Sequence, residues 1–373
     1  MNDFYSCYAS SAFGMEGLVS GELKSMHMGD VSAENGGVRF TADGEQLFLC
    51  NLKMHFCDRI FILLCSEKCT SFDQLFHLIS DIDWSRYFSG DESIDVSCKC
   101  VRSMLMSPRD CQSVTKKAII ETIRHSTGQK LFPESGFSLS VHITIRNDQL
   151  TVLLNTSGEA LSRRGYRTWN GEAPLRETLA AALVQLSGWK PGQPLHDPCC
   201  GTGTILTEAA LIAAARNPGQ NRSFAMEHYK CFHGLNFSRL RSEASYNTDF
   251  SRIKGISGSD IDPAALELAE RHIRQAGIGS GLIPLEQISL QDLNLDAEYG
   301  VFICNPPYGE RLSDQKQCRI LYHDLNLLKQ RHPTWRLCAI SSDPAFERSF
   351  GRKAARKRRL YNGRLECVYY IYE

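Results

Sequence analysis

Up to about residue 160 the apolar positions come in short runs parted by turn residues. The stretches "FYSCYAS", "GGVRFTA", "DRIFILLCS", "SIDVSCKCV" and "SLSVHITIRNDQLTVLLNTSG" alternate apolar with polar and predict strands. Between them, "FGMEGLVSGELKSM" and "RDCQSVTKKAIIETIRHSTG" carry helical spacing. The "RNDQ" turn between "SVHITI" and "LTVLLN" predicts a hairpin, because Asn and Asp tolerate the left-handed backbone that a tight turn needs. The first half therefore reads as α+β.

After "RRGYRTWNGEAP" the pattern changes to strand and helix in alternation. "PLRETLAAALVQLSGW" predicts a helix, "QPLHD" a short buried strand, and "TGTILTEAALIAAAR" a helix apolar nearly all round. "IKGISGSD", "IPLEQISL", "GVFICN" and "RLCAISS" read as further strands, with "DPAALELAERHIRQAG" and "CRILYHDLNLLKQRH" as helices among them. Such alternation marks a mostly parallel, doubly wound sheet of the Rossmann-like α/β class. "RKRRLYNGRLECVYYIYE" ends the chain as two strands around Asn362-Gly363, which adds an antiparallel edge hairpin. The boundary between the halves is expected near residues 160–170, and 216–252 reads as a long polar insertion.

Composition narrows the search without naming a function. The 373 residues suit two or three domains, and 42 basic residues balance 42 acidic ones, so a polyanion would need a local patch. Fifteen cysteines, odd in number and scattered, with no secretory signal, argue for a reducing, cytoplasmic setting rather than a disulfide framework. Cys98 and Cys100 are two apart and Cys65 and Cys69 four apart, but neither pair is matched by a second pair at a structural-zinc spacing, so no metal is expected. No apolar run approaches the roughly 18–20 residues that span a bilayer, and no membrane partner is expected.

The chemistry begins at "HDPCCGTGT". A strand ending at Asp197, a turn carrying Gly201 and Gly203, and a helix from about Thr204 would open a backbone cleft at a positive helix end, suited to an anionic group. The glycines alone do not choose a ligand. A nicotinamide site would show G-x-G-x-x-G with an acid about 20 residues on, and a P-loop would carry G-K-[ST]. Here Asp260 ends the next strand 63 residues after Asp197, placed to accept both hydroxyls of a ribose. Asp262, followed by Pro263, reads instead as a helix cap. Asp292 in "SLQDLN" is a candidate acceptor for an adenine amine.

A fourth strand ends in "NPPYGERL", at the same sheet edge as Asp197, Asp260 and Asp292. Pro306 and Pro307 stiffen the loop, and the Asn305 side-chain oxygen with a backbone carbonyl could hold both hydrogens of a planar exocyclic amine. Tyr308 offers a face for an extruded base. Phe302, on the strand before the loop, reads as core. Cys199 and Cys200 read as small residues packed beneath the turn.

With these residues the sequence resembles the S-adenosyl-L-methionine-dependent amino-methyltransferases of Rossmann-like class I. More narrowly, "FGMEGLVSGEL", "NLKMHFCDRI", "IDWSRYF", "TSGEALSRRGYR", "EAPLRETLAAALV", "DPCCGTGT", "NPPYGERL" and "LYNGRLECVYYIY" resemble the bacterial ribosomal RNA guanine-N2 methyltransferases that carry a THUMP domain, the RlmL type. The resemblance implies a ferredoxin-like domain over 1–60, a THUMP RNA-binding domain over 61–160 and a methyltransferase domain over 161–373. It implies that Asp197, Pro198, Cys200, Gly201, Thr202, Gly203 and Thr204 hold the methionine end of the cofactor, Asp260 and Ile261 the ribose side, and Asp292 the adenine, with Asn305 also against the cofactor. Catalysis would rest on Asn305, Pro306, Pro307 and Tyr308, with the target amine donating to Asn305 and the Pro306 carbonyl. Ribosomal RNA is the favoured substrate, with transfer RNA as the alternative, adenine N6 as an alternative target, and a non-catalytic RNA-binding assembly factor as the alternative class of function. The longest family members continue into a second methyltransferase domain, which a chain ending at Glu373 is expected to lack.

Three basic patches are expected to meet RNA. "RKAARKRR" brings Arg352, Lys353, Arg356, Lys357, Arg358 and Arg359 into eight positions without an acid. Arg163, Arg164 and Arg167 surround Tyr166 at the hinge, and Lys117 and Arg124 share a helix face with Ser113. Together they would line a path from the first half to the catalytic loop.

Overall fold

A computed structural model describes residues 3–88, 92–128, 136–167, 175–308 and 312–373, with 312–315 as backbone alone. The "TWNGEAP" part of the hinge and the "GER" that follows Tyr308 lie outside the described residues.

The first half builds one sheet of seven strands, β1 (Tyr5–Ser10), β2 (Gly29–Glu34), β3 (Gly37–Ala42), β4 (Arg59–Lys68), β5 (Ser93–Val101), β6 (Ser138–Arg146) and β7 (Gln149–Asn155). Their order is β2-β3-β1-β4-β7-β6-β5, so β4 joins the two halves of the sheet by pairing with β1 on one side and β7 on the other. The Asn147–Asp148 turn joins β6 to β7 as the sequence predicts, with φ of 51° and 62°. Helices α1 (Glu16–Ser25), α2 (Gly44–Lys53), α3 (Phe72–Ser80) and α4 (Pro108–Thr127) cover one face. Leu139, Val141, Ile143 and Ile145 of β6 point into that core. Their alternates Ser138, Ser140, His142, Thr144 and Arg146 stay partly or fully exposed on the other face.

The second half is a doubly wound sheet as expected. Its strands are β8 (Leu195–Asp197), β9 (Ile256–Asp260), β10 (Leu285–Gln287), β11 (Val301–Cys304), β12 (Arg336–Ser341), β13 (Arg356–Asn362) and β14 (Leu365–Tyr372). The order is β10-β9-β8-β11-β12-β14-β13, parallel from β10 to β12, with β14 antiparallel and inserted between β12 and β13. Helices α5 (Glu177–Leu186), α6 (Thr204–Ala213), α8 (Pro263–Gln275) and α9 (Leu312–Arg331) alternate with the strands. β8 adjoins both β9 and β11, so the chain reverses its winding direction there and the carboxyl ends of the three strands frame a crevice.

Residues 216–252, expected as a polar insertion, form a clasp that is mostly exposed or half-buried but seats a few large apolar side chains. They carry short helical turns and α7 (Phe237–Ala244), and bury Phe224, Tyr229 and Phe232. Phe224 packs edge-on against Phe48 and Phe232 against Tyr5 of the first half. Backbone bonds from Gly219 to Leu52, Met226 to Thr156 and Lys230 to Tyr87 fasten the clasp across the boundary. The polar composition misleads because the apolar residues are few, large and spaced by surface turns.

Candidate functional site

The glycine turn is built by close approach between β8, β9 and their helices. Gly203 has φ of 75°, and a Cβ there would stand 2.9 Å from the Ala269 Cβ of α8. Gly258 of β9 leaves room for Leu206, whose Cδ1 would be 2.3 Å from an added Cβ. Gly201 has φ of 50° but an added Cβ would meet nothing within 4 Å among the described residues. Its glycine answers to backbone conformation and leaves open space above the turn.

The turn amides are used differently from the expectation of a free anion nest. Gly201 N–H donates to Asp260 Oδ2 at 2.8 Å, and Gly203 N–H to the Cys200 carbonyl at 2.8 Å. Asp260 also accepts from the Asp262 N–H through Oδ1 at 3.1 Å. Each carboxylate oxygen keeps further lone-pair capacity toward a ligand, and the turn itself fixes the carboxylate orientation. Asp262 caps α8 through Ala264 N–H at 2.9 Å with Pro263 at the first helical position, as the sequence predicts. Burial pushes the Asp197 carboxyl well above its ordinary range, and the nearby Asp260 adds to the rise against the Cys199 N–H bond. Cys199 and Cys200 thiols are likewise raised by burial and pack under the turn.

Beyond Asp260, Ile261 is 71% exposed, an apolar surface at the mouth of the crevice. Asp292 lies five residues past β10, which ends at Gln287 rather than running to Leu290. It is exposed, and Ser289 Oγ donates to its Oδ2 at 2.7 Å.

Asn305 follows β11 directly. Val301 and Phe302 pair with Leu195 and His196 on the adjacent strand, so by the same register Ile303 stands level with Asp197 and Asn305 two residues beyond it. Pro306 is buried, and Tyr322 O–H donates to the Pro307 carbonyl at 2.9 Å, anchoring the loop to α9. Tyr308 O–H donates to Asn305 Oδ1. Burial raises the Tyr308 phenol above its ordinary range, so it stays a donor. Phe302 is fully buried and stacks on Trp335 at 4.5 Å, a core residue as expected.

The basic candidates separate. Arg164 is 4% exposed, donates to the Leu161 and His55 carbonyls at 2.9 and 2.7 Å and lies 3.5 Å from Glu208, so it holds the hinge from inside and does not reach a polyanion. Arg167 is nearly as enclosed, 3.4 Å from Glu177. Arg163 is exposed and pairs with Glu159. Lys117 and Arg124 are exposed on α4, but α4 covers the helical face of the first sheet, so they do not join a path with the hinge arginines.

The 352–359 run is laced with acids from elsewhere in the chain. Arg356 pairs with Glu373 at 2.7 Å, Lys357 with Glu347 at 2.8 Å and Arg359 with Glu366 at 3.1 Å, while Arg358 donates to the Gly14 carbonyl at 3.1 Å. Arg352 donates to the Glu373 carbonyl. Arg358 and Arg359 stand level with Ile340 and Ser341, near the height of Asn305, whereas Arg356 lies lower on the sheet and Arg352 and Lys353 precede it.

A larger feature escapes the motif search. A cleft of about 1100 Å³ lies between the open face of the first sheet and the clasp, lined by Arg59, His142, Arg163, Arg167, Arg222 and His228 among others. Arg222 donates to the Ala160, Glu159, Ser157 and Arg163 carbonyls, and burial brings its pKa down to about 10, so it remains charged. The polar alternates Ser138, Ser140 and His142 along β6 were a visible signal for it. The separation of Arg59, Arg222 and His228 along the chain hid the rest.

The strand order, with its antiparallel penultimate strand, and the loop after β11 together define a class I methyltransferase. The chain matches the family models described as RMKL-like, methyltransferase domain over 164–371, RlmL ferredoxin-like domain over 6–61 and THUMP domain over 69–155. It is 36% identical over 370 residues to the Bacillus subtilis protein named "Putative RNA methyltransferase YpsC", covering 99% of this chain and 96% of that one. It is 31% identical to "Ribosomal RNA large subunit methyltransferase K/L" of Shewanella frigidimarina, covering 99% of this chain and 52% of that longer protein. Among solved structures, a Listeria monocytogenes protein described as a predicted N6-adenine-specific DNA methylase superimposes with a TM-score of 0.94 at 36% identity, covering 100% of this chain and 96% of that one. SMU.472 in complex with SAH superimposes with a TM-score of 0.92 at 36% identity, covering 100% and 98%. The protein belongs to the RMKL-like methyltransferase family, with ferredoxin-like, THUMP and class I methyltransferase domains, and its methyl donor is S-adenosyl-L-methionine.

Proposed function

We propose that the protein methylates the exocyclic N2 amine of a guanine in RNA, with large-subunit ribosomal RNA as substrate. The observation that carries the reaction type is the Asn305–Tyr308 loop at the switch point, one strand from Asp197 and two from Asp260. The open space over Gly201, the oriented Asp260 carboxylate and the exposed Ile261 fit a nucleoside with a charged tail. Asp197 to Thr204 would hold the amino-acid end, Asp260 the ribose and Asp292 the adenine. S-adenosyl-L-methionine supplies an electrophilic methyl group bound to a sulfonium.

The protein's part is positional. Asn305 Oδ1 and the Pro306 carbonyl accept the two amine hydrogens, which aligns the nitrogen lone pair with the methyl group. Asn305 Oδ1 has two lone pairs and can accept from a substrate amine beside the Tyr308 hydroxyl, while the Tyr308 ring offers a face for the base. No general base is required, because the proton can leave to water after transfer.

RNA would reach the loop over the open face of the first sheet and through the cleft lined by Arg59, Arg163 and Arg222. Lys99 and Arg146 extend that face outward with Thr144 and Thr151. The ribosomal choice rests on the likeness to the K/L protein and on the proposed division at residues 60 and 160 into ferredoxin-like, THUMP and methyltransferase parts. Incubation with methyl-labelled cofactor and separate total rRNA and tRNA tests it. Label in rRNA is expected; label confined to tRNA rejects the ribosomal assignment.

A further inference from the structure

We infer that Cys98, Cys100 and Cys111 form a binding site for a thiophilic d10 cation of the zinc class, separate from the methyltransferase crevice. Cys98 and Cys100 lie two apart on β5, the edge strand of the first sheet, opposite Ile143 and Ile145 and therefore on its helix-covered face. Ser107 caps α4 and Pro108 begins it, so that Cys111, one turn in, packs back on β5. The Cys98 and Cys100 sulfurs are 3.7 Å apart and those of Cys100 and Cys111 4.0 Å.

These separations are those of donors around a single ion. A tetrahedral centre with metal–sulfur bonds of about 2.3 Å sets its sulfurs roughly 3.8 Å apart. Among the described residues this is the one cluster of three His, Cys, Asp or Glu donors so placed. Cys111 is fully buried, while Cys98 and Cys100 are partly open at the sheet edge, which leaves an entry path and a fourth corner for water. The sequence hides the set because its third member comes from a different element, eleven residues past Cys100.

On binding, three S–H bonds give way to three metal–sulfur bonds and three protons pass to solvent. A dication then leaves the centre with a net charge of −1. The ion clips the edge strand to α4 across the 102–107 connection, from which Met104 and Met106 project at 71% and 81% exposure.

The test is titration of the reduced, chelator-treated full chain with zinc(II) in competition with a chromophoric chelator, and with cadmium(II) to read thiolate-to-metal charge transfer in the ultraviolet. One equivalent is expected to bind, with a cadmium–thiolate band and a rise in Tm. Cys98→Ser, Cys100→Ser and Cys111→Ser should each weaken binding at least tenfold, and Cys65→Ser should leave it unchanged. Should Cys111→Ser fail to fold, the partly open Cys98 and Cys100 carry the comparison. Absence of stoichiometric binding, or equal binding by folded Cys98→Ser and Cys100→Ser, overturns the site.

Discussion

Gly201 and Gly203 stand two residues apart in one turn, yet they are glycine for different reasons. At Gly203 a methyl group would press on Ala269 as well as force a left-handed backbone, so Gly203→Ala should cost about 2–3 kcal/mol of stability. At Gly201 only the backbone term applies, and Gly201→Ala should cost about 1 kcal/mol while weakening cofactor binding through the methyl set above the turn. Denaturant unfolding and calorimetric cofactor titration of the two variants would separate these effects; equal stability losses would remove the distinction. Beneath the turn, His196 bridges Ser257 and Ser259 at 2.8 and 3.0 Å, and burial brings its pKa down to about 4. An unfolded histidine takes up its proton near pH 6.5, so protonation favours the unfolded chain between these values. Stability contributed here is complete above pH 6.5 and falls by up to about 1.4 kcal/mol per unit toward pH 4, a slope that His196→Gln should flatten. The Asp262 cap was legible because capping is a local device, written in two adjacent residues. Arg164 was not legible, because its burial against Glu208 is decided by a helix forty residues further along the chain.

Among the elements, β11, β12, α5 and α6 of the second half follow from local pattern, since each is dominated by consecutive buried apolar residues. β2 was not legible: its residues are nearly all exposed and alternate nothing, so only pairing with β3 makes them a strand. The clasp at 216–252 likewise draws its order from partners supplied by the first half. Phe232 is 1% exposed between Tyr5 and Tyr229, and Phe232→Ala should cost about 3–4 kcal/mol. Because that contact joins the two halves, the variant should also split a single thermal transition into two in scanning calorimetry. One unchanged transition would show that the clasp does not couple the halves.

For the whole molecule, the open sheet face and cleft carry Lys99, Arg146, Arg59 and Arg222 alongside Asp95, Glu159, Glu177 and Glu34, while the 352–359 run is largely matched by acids from elsewhere in the chain. Lys99→Ala with Arg146→Ala should weaken RNA binding and lower the magnitude of its logarithmic salt slope by roughly 1–2, as expected for one or two lost phosphate contacts. The same exchange at Arg356 and Lys357 should change that slope far less; the reverse ranking would return the RNA path to the basic run. The central claim is the chemistry at Asn305. Its most direct test is nucleoside analysis of RNA from a deletion strain after treatment with the wild-type protein or Asn305→Ala and methyl-labelled S-adenosyl-L-methionine. The account predicts labelled N2-methylguanosine with wild type and at least a hundredfold loss with Asn305→Ala at nearly unchanged RNA affinity. Labelled N6-methyladenosine in its place, or full activity in Asn305→Ala, would contradict it.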